Sequence, residues 1–110
     1  MFIDVKKEFR EWLITDKSLS PKVASDIISR CQKLDQCILE SIDLSISSPQ
    51  IYLLALQKIT SYSEEKRSKF QLKSSSSASL ISAMKKYGEF IAPPNFDLYP
   101  NGYNIRGYKK

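Results

Sequence analysis

The sequence predicts an all-α fold: a bundle of four helices followed by an extended C-terminal tail. Three observations carry that expectation. Apolar residues recur at three- and four-residue spacing in four separate segments, the signature of one buried helical face. Two of those segments open on a Ser-Pro pair, Ser20-Pro21 and Ser48-Pro49, a helix-start signal. No segment makes a convincing strand, and no internal repeat is visible.

The first helix is expected over residues 2–14, with Phe2, Val5, Phe9, Trp12 and Leu13 on its inner face. Thr15 to Leu19 form a short connection. Ser20 then reads as an N-cap, and Pro21 takes the first helical position, where its missing N–H costs nothing. This second helix is expected to run to about Leu39, with Val23, Ile27, Cys31, Leu34 and Ile38 inward. "ESIDLSISS" (40–48) reads as a linker with some apolar content. A third helix opens at Pro49 behind Ser48 and carries a broad apolar face. Residues 63–79, a charged segment followed by a serine cluster, read as a flexible loop. Ser79 is expected to cap the fourth helix, with Leu80, Met84, Tyr87 and Ile91 inward, until Pro93-Pro94 ends it. Residues 1–92 thus form the helical domain. Residues 93–110, rich in Pro, Gly, Asn and Tyr, form a tail that is either an extended surface arm or partly disordered.

The chain is 110 residues long, enough for one core, and carries a net charge of +5 with a pI near 9.2. That balance permits nucleic acid or an acidic protein as partner without requiring either. No apolar run approaches the roughly 20 residues that span a bilayer, so no membrane partner is expected. The charged opening "MFIDVKKEFREW" is unlike a signal peptide, which points to the cytoplasm. Cys31 and Cys37 read as reduced thiols, Cys31 in the core, and without histidine neither can complete a zinc site. There is no Gly-rich phosphate loop, and the commonest general base is missing. Asp4, Glu8, Glu11 and Asp16 look like surface balance on and after the first helix. The expectation is a protein that is not an enzyme and needs no cofactor.

Two polar faces stand out. Opposite the apolar stripe of the second helix lie Lys22, Ser25, Ser29, Gln32, Lys33 and Gln36, with Arg30 and Asp26 on the flanks and no acid on the far side. The fourth helix sets Ser75, Ser79, Ser82, Lys85 and Lys86 away from its core stripe, with Glu89 near the end. A solvated face must be polar in any case, but it usually mixes signs to form i,i+4 pairs. Small hydroxyls admit a phosphate backbone, and cations neutralise it. The helix starts at Ser20 and around Ser76–Ser79 offer N–H donors and partial positive charge to a phosphate. In the tail, Phe96, Tyr99, Tyr103 and Tyr108 interleave with Arg106, Lys109 and Lys110. Such aromatics either stack on nucleic acid or pack on the parent core or a protein partner.

"FREWLITDKSLSPKVASDIISRCQKL" (9–34) resembles the opening of the core-binding domain of tyrosine recombinases, the phage-integrase-like family. There an aromatic-leucine helix end leads through a short turn to Leu-Ser-Pro and an amphipathic helix. "SLISAMKKYGEFI" (79–91) resembles the last helix of that domain, through Ile81, Ser82, Ala83, Met84, Lys85, Tyr87, Phe90 and Ile91. The resemblance implies a SAM-like orthogonal bundle whose second and fourth helices face duplex DNA. On that reading Ser20, Lys22, Ser25, Ser29, Arg30 and Lys33 form one contact strip, and Ser79, Ser82, Lys85 and Lys86 the other. Tyr103, Arg106, Tyr108 and Lys109 are candidate tail contacts. The implied role is a regulator or accessory factor linked to recombination or a mobile element. The alternative is an interaction module that binds a protein partner through its aromatic tail, and self-association is a further partner expectation. Val23 stands where the family often has threonine, Ile27 where tyrosine is frequent, and Gly88 where a bulky residue is usual. The resemblance extends to a binding surface and not to the family's catalytic domain.

Overall fold

A computed structural model of the chain describes the backbone of residues 1–70 and 77–99 and the side chains of residues 1–62 and 78–99. The described residues form five α-helices and no strand: α1 (Phe2–Thr15), α2 (Pro21–Lys33), α3 (Ile42–Ser45), α4 (Pro49–Phe70) and α5 (Ser77–Ile91). A π-helical turn (Leu34–Ile38) extends α2, and a 3₁₀ turn (Phe96–Leu98) follows α5. No described helix is long and apolar enough to cross a membrane.

α1 buries Phe2, Phe9 and Leu13, with Val5 and Trp12 packed beside them. Ser18, at a φ of 58°, turns the chain toward α2. The hydroxyl of Ser20 accepts the Val23 N–H at 3.2 Å, so the expected cap is present. The buried stripe of α2 is Ala24, Ile27, Ile28 and Cys31. The expected inward Val23 is instead 42% exposed, because the stripe runs along Ala24 and Ile28 and leaves Val23 beyond its edge.

Past Lys33 the helix widens. The Leu39 N–H reaches back five residues to the Leu34 carbonyl at 2.8 Å, the bond of a π turn. The expected linker then folds into α3, started by Ser41, whose hydroxyl accepts the Leu44 N–H at 3.2 Å. Burial of Leu39, Ile42 and Ile46 holds it in place. Ser48 caps α4 through the Ile51 N–H at 3.2 Å. α4 buries Tyr52, Ala55, Leu56 and Ile59, and its backbone stays helical to Phe70, where a loop is expected from residue 63. No Gly or Pro interrupts residues 50–70, and Glu, Lys and Arg are good helix formers, so propensity carries the helix on.

α5 begins at Ser77, two residues before the expected cap, and buries Leu80, Ala83, Met84 and Tyr87. Ile91 is not inward. It is 41% exposed at the helix end, while Phe90 meets Phe9 at 5.2 Å and Trp12 at 5.5 Å between ring centres. Ala92, at a φ of 56°, closes the helix by donating its N–H to the Gly88 carbonyl at 2.7 Å. The start of the tail is not an extended arm. Phe96 and Tyr99 fold back to sit 5.6 and 5.3 Å from Tyr52, and the Tyr99 hydroxyl donates to the Ile46 carbonyl at 3.0 Å.

Gly88 makes this return possible. A Cβ there would run into the Phe96 ring, whose Cε1 would lie 2.5 Å away. Gly88→Ala is therefore expected to destabilise the protein, although alanine is the better helix former by about 1 kcal/mol. In a Phe96→Ala background the same change is expected to stabilise by about that amount. A urea-denaturation cycle of the four proteins checks the reversal of sign.

Candidate nucleic-acid interface

α2 is the middle helix of three. It packs on α1 and on α5, which also meet each other through Phe9, Trp12, Tyr87 and Phe90. The three helices therefore surround one core, and the outer face of α2 is flanked by theirs. The thiol of Cys31 donates to the Ala83 carbonyl at 3.3 Å and marks where α2 meets α5. Burial, and then the charge of Asp35, push that thiol far above its ordinary value, which leaves it a core group and not a nucleophile. Lys17, ahead of α2, pairs with Glu89 at the end of α5 at 3.2 Å, so the two helices run in opposite directions.

On the α2 side, Ser20 and Ser29 are exposed and Arg30 is half-buried. Lys22 is largely exposed and pairs with Asp26 at 3.5 Å, a surface contact of the kind worth less than 1 kcal/mol. Ser25 turns toward α1, where its Oγ accepts from the Arg10 Nε at 3.2 Å. Lys33 leans away over the Tyr62 ring of α4, 5.5 Å from its centre. On the α5 side, Ser82 and Lys85 are exposed, and Ser79 and Lys86 are half-buried. Lys86 is one turn on from Ala83, and Ser79 one turn before it, on the flank facing α2. The structure therefore brings Lys22, Ser29, Arg30, Ser82, Lys85 and Lys86 onto neighbouring outer faces. It withdraws Lys33 and turns Ser25 sideways.

The start of α2 offers a phosphate less than the sequence suggests. Pro21 has no N–H, the Val23 N–H is held by the Ser20 side chain, and the Ala24 N–H is bonded to the Ser20 carbonyl at 2.9 Å. The Lys22 amide remains. The Ser20 hydroxyl accepts one bond and keeps its own proton to donate. Ser76 and the tail residues Tyr103, Arg106, Tyr108 and Lys109 lie outside the described residues.

Net charge does not distinguish this face. Residues 63–77 and 100–110 hold seven of the seventeen cations and two of the twelve acids, and the rest of the chain carries ten of each. The interface depends on where charges sit. Reading α2 and the last helix alone missed two cations of α1, Lys6 and Arg10, which reach across to α2. Their signal was present in the sequence: neither has an acid three or four residues away on its own helix.

Compared with known proteins, the chain matches no family model, no curated protein and no solved structure.

Proposed function

We propose that this chain binds double-stranded DNA through the outer faces of α2 and α5, as a cytoplasmic regulator or accessory factor linked to recombination or a mobile element. The reading takes the fold as a SAM-like bundle of the kind found in core-binding domains. The observation that carries it is the contact between Cys31 and Ala83, which sets side by side the two polar faces that charge segregation singles out. Lys22 and Lys85 are exposed, and hydroxyls at Ser20, Ser29 and Ser82 accompany them at short reach. Cations of this kind neutralise phosphates, and small hydroxyls fix the protein's register without reading sequence.

The test is fluorescence-anisotropy titration of a random DNA duplex across a salt series. Contact with about four to six phosphates gives a log-log salt slope of roughly −4 to −5. The Lys22→Glu/Lys85→Glu variant, checked for retained helicity, is expected to lose binding at every sequence. Equal binding by the variant and the parent chain would sink the reading.

A second reading, a protein-interaction module, has one observation in its favour. The π turn, α3 and α4 enclose a groove of about 610 Å³ lined in part by Ile38, Leu44, Ile51 and Leu54, of which Leu54 is 60% exposed. Phe96 and Tyr99 are occupied against Tyr52, so a protein partner would engage this groove instead of those two rings. That interaction would survive the charge reversal.

A further inference from the structure

We propose that α1 is part of the DNA-binding surface, with Lys6 and Arg10 gripping backbone phosphates along the seam between α1 and α2. The inference rests on the DNA-binding reading above and extends it to a helix that reading does not use.

The seam is built from two cross-helix hydrogen bonds. The Arg10 Nε donates to the Ser25 Oγ and the Lys6 Nζ to the Gln32 Oε1, each at 3.2 Å. Both bonds consume acceptors. The Gln32 oxygen spends one of its two lone pairs on Lys6, and its amide NH₂ adds two donors. The Ser25 oxygen is taken by Arg10, and its hydroxyl proton is left to donate. An arginine has five N–H donors and a lysine three, and each spends one here. Among the described residues no other partner engages Arg10 or Lys6. The result is a strip that presents mainly donors and positive charge, the complement of a phosphate oxygen.

Acids are kept away from it. On the helical wheel Lys6 and Arg10 sit close together, about one turn apart along the axis, while Asp4, Glu8 and Glu11 lie on the opposite side of α1. The single acid of α2, Asp26, lies about 100° round the helix from Ser25, on the outer face, where it pairs with Lys22. Ser29, exposed between Ser25 and Gln32 in sequence, adds a further hydroxyl. Both cations are only half exposed, so their stems are already held against α2 and little side-chain freedom remains to be lost on binding. With Lys22 and Lys85 beyond it, this seam widens the footprint from two helices to three.

The experiment compares the full chain, the Lys6→Gln/Arg10→Gln variant and the Lys22→Glu/Lys85→Glu variant on the same duplex over the same salt series. Removing two phosphate contacts is expected to reduce the steepness of the salt slope by about 2 and to weaken binding at low salt equally for unrelated sequences. A Lys6→Arg/Arg10→Lys variant, which keeps both charges, is expected to retain most of the slope. If the full chain binds and the α2–α5 variant fails, yet Lys6→Gln/Arg10→Gln keeps the parental slope, the seam is structural only and the inference is overturned alone. A lowered melting temperature with an unchanged slope would overturn it in the same way. Absence of binding by the full chain at any salt overturns this inference and the DNA reading together.

Discussion

Asp43→Ala is expected to cost about 3–5 kcal/mol of stability, a large share of what a domain of this size possesses. One carboxylate oxygen accepts the Phe2 N–H at 2.7 Å, a donor that the first turn of α1 cannot satisfy within the helix. The other accepts the Tyr87 hydroxyl at 2.5 Å. A single side chain of the short helix α3 thereby ties the start of α1 to the middle of α5, across 41 and 44 residues of sequence. Hydrogen bonds to a charged group contribute about 1.5–3 kcal/mol each, and truncation leaves both donors without their partner. Tyr87→Phe removes one of the two bonds and is expected to lose less. Urea denaturation of Asp43→Ala, Tyr87→Phe and the double variant measures the coupling. A loss below about 1 kcal/mol for Asp43→Ala would mean that water replaces the carboxylate at both donors.

Alkali is expected to unfold the protein from within its core. Cys31, Tyr52 and Tyr87 are buried, and each holds its proton above the ordinary range. Burial is the leading cause in all three. The charge of Asp35 adds to it at Cys31, that of Glu89 at Tyr52, and the hydrogen bond to Asp43 at Tyr87. Unfolding returns the thiol to about 9.0 and the phenols to about 10.0. Above those values the unfolded chain binds fewer protons than the native one, so stability falls as pH rises. Each group removes about 1.4 kcal/mol per pH unit, and by about pH 11 the three together remove about 5 kcal/mol. Urea midpoints measured from neutral pH upward should hold to about pH 9, decline first with Cys31, and steepen once the tyrosines join. Cys31→Ala should delay the onset by about one pH unit, whatever it does to stability at neutral pH. A midpoint that stays flat to pH 11 would mean that the buried groups ionise in place.

The helix starts at Ser20 and Ser48 were legible in the sequence because capping is local: a hydroxyl, a proline and an amide a few residues on suffice. Most of the inner faces of α1 and α5 followed from spacing, Phe9, Leu13, Leu80, Met84 and Tyr87 among them, whereas Ile91 at the end of α5 is exposed. What was not legible depended on contacts distant in the chain. α3 is too short to show a period, and it stands because Ile42 is buried and Asp43 is bonded from two sides. Gly88 reads as a weak point in a helix until Phe96 is seen to fill the space above it. Val23 and Ala24 are both plausible inner residues on a wheel, and only the placement of α1 and α5 decides between them. In the candidate interface, the polar faces could be listed from sequence. That Ser25 belongs to Arg10, and Lys33 to Tyr62, could not.

The π turn at Leu34–Ile38 has a consequence for chain length. Such a turn is an α-helix that has taken in one residue more than its ladder needs. Gln36 and Cys37 are exposed there. Losing either would let the helix close in the ordinary i to i+4 pattern, with Lys33 before it and Leu39 after it left in place. Elsewhere in α2 or α5 a one-residue deletion would turn every later side chain by about 100° and carry Cys31 or Tyr87 out of the core. A one-residue deletion at the wall of the apolar groove would thus leave the register of the three-helix face unchanged.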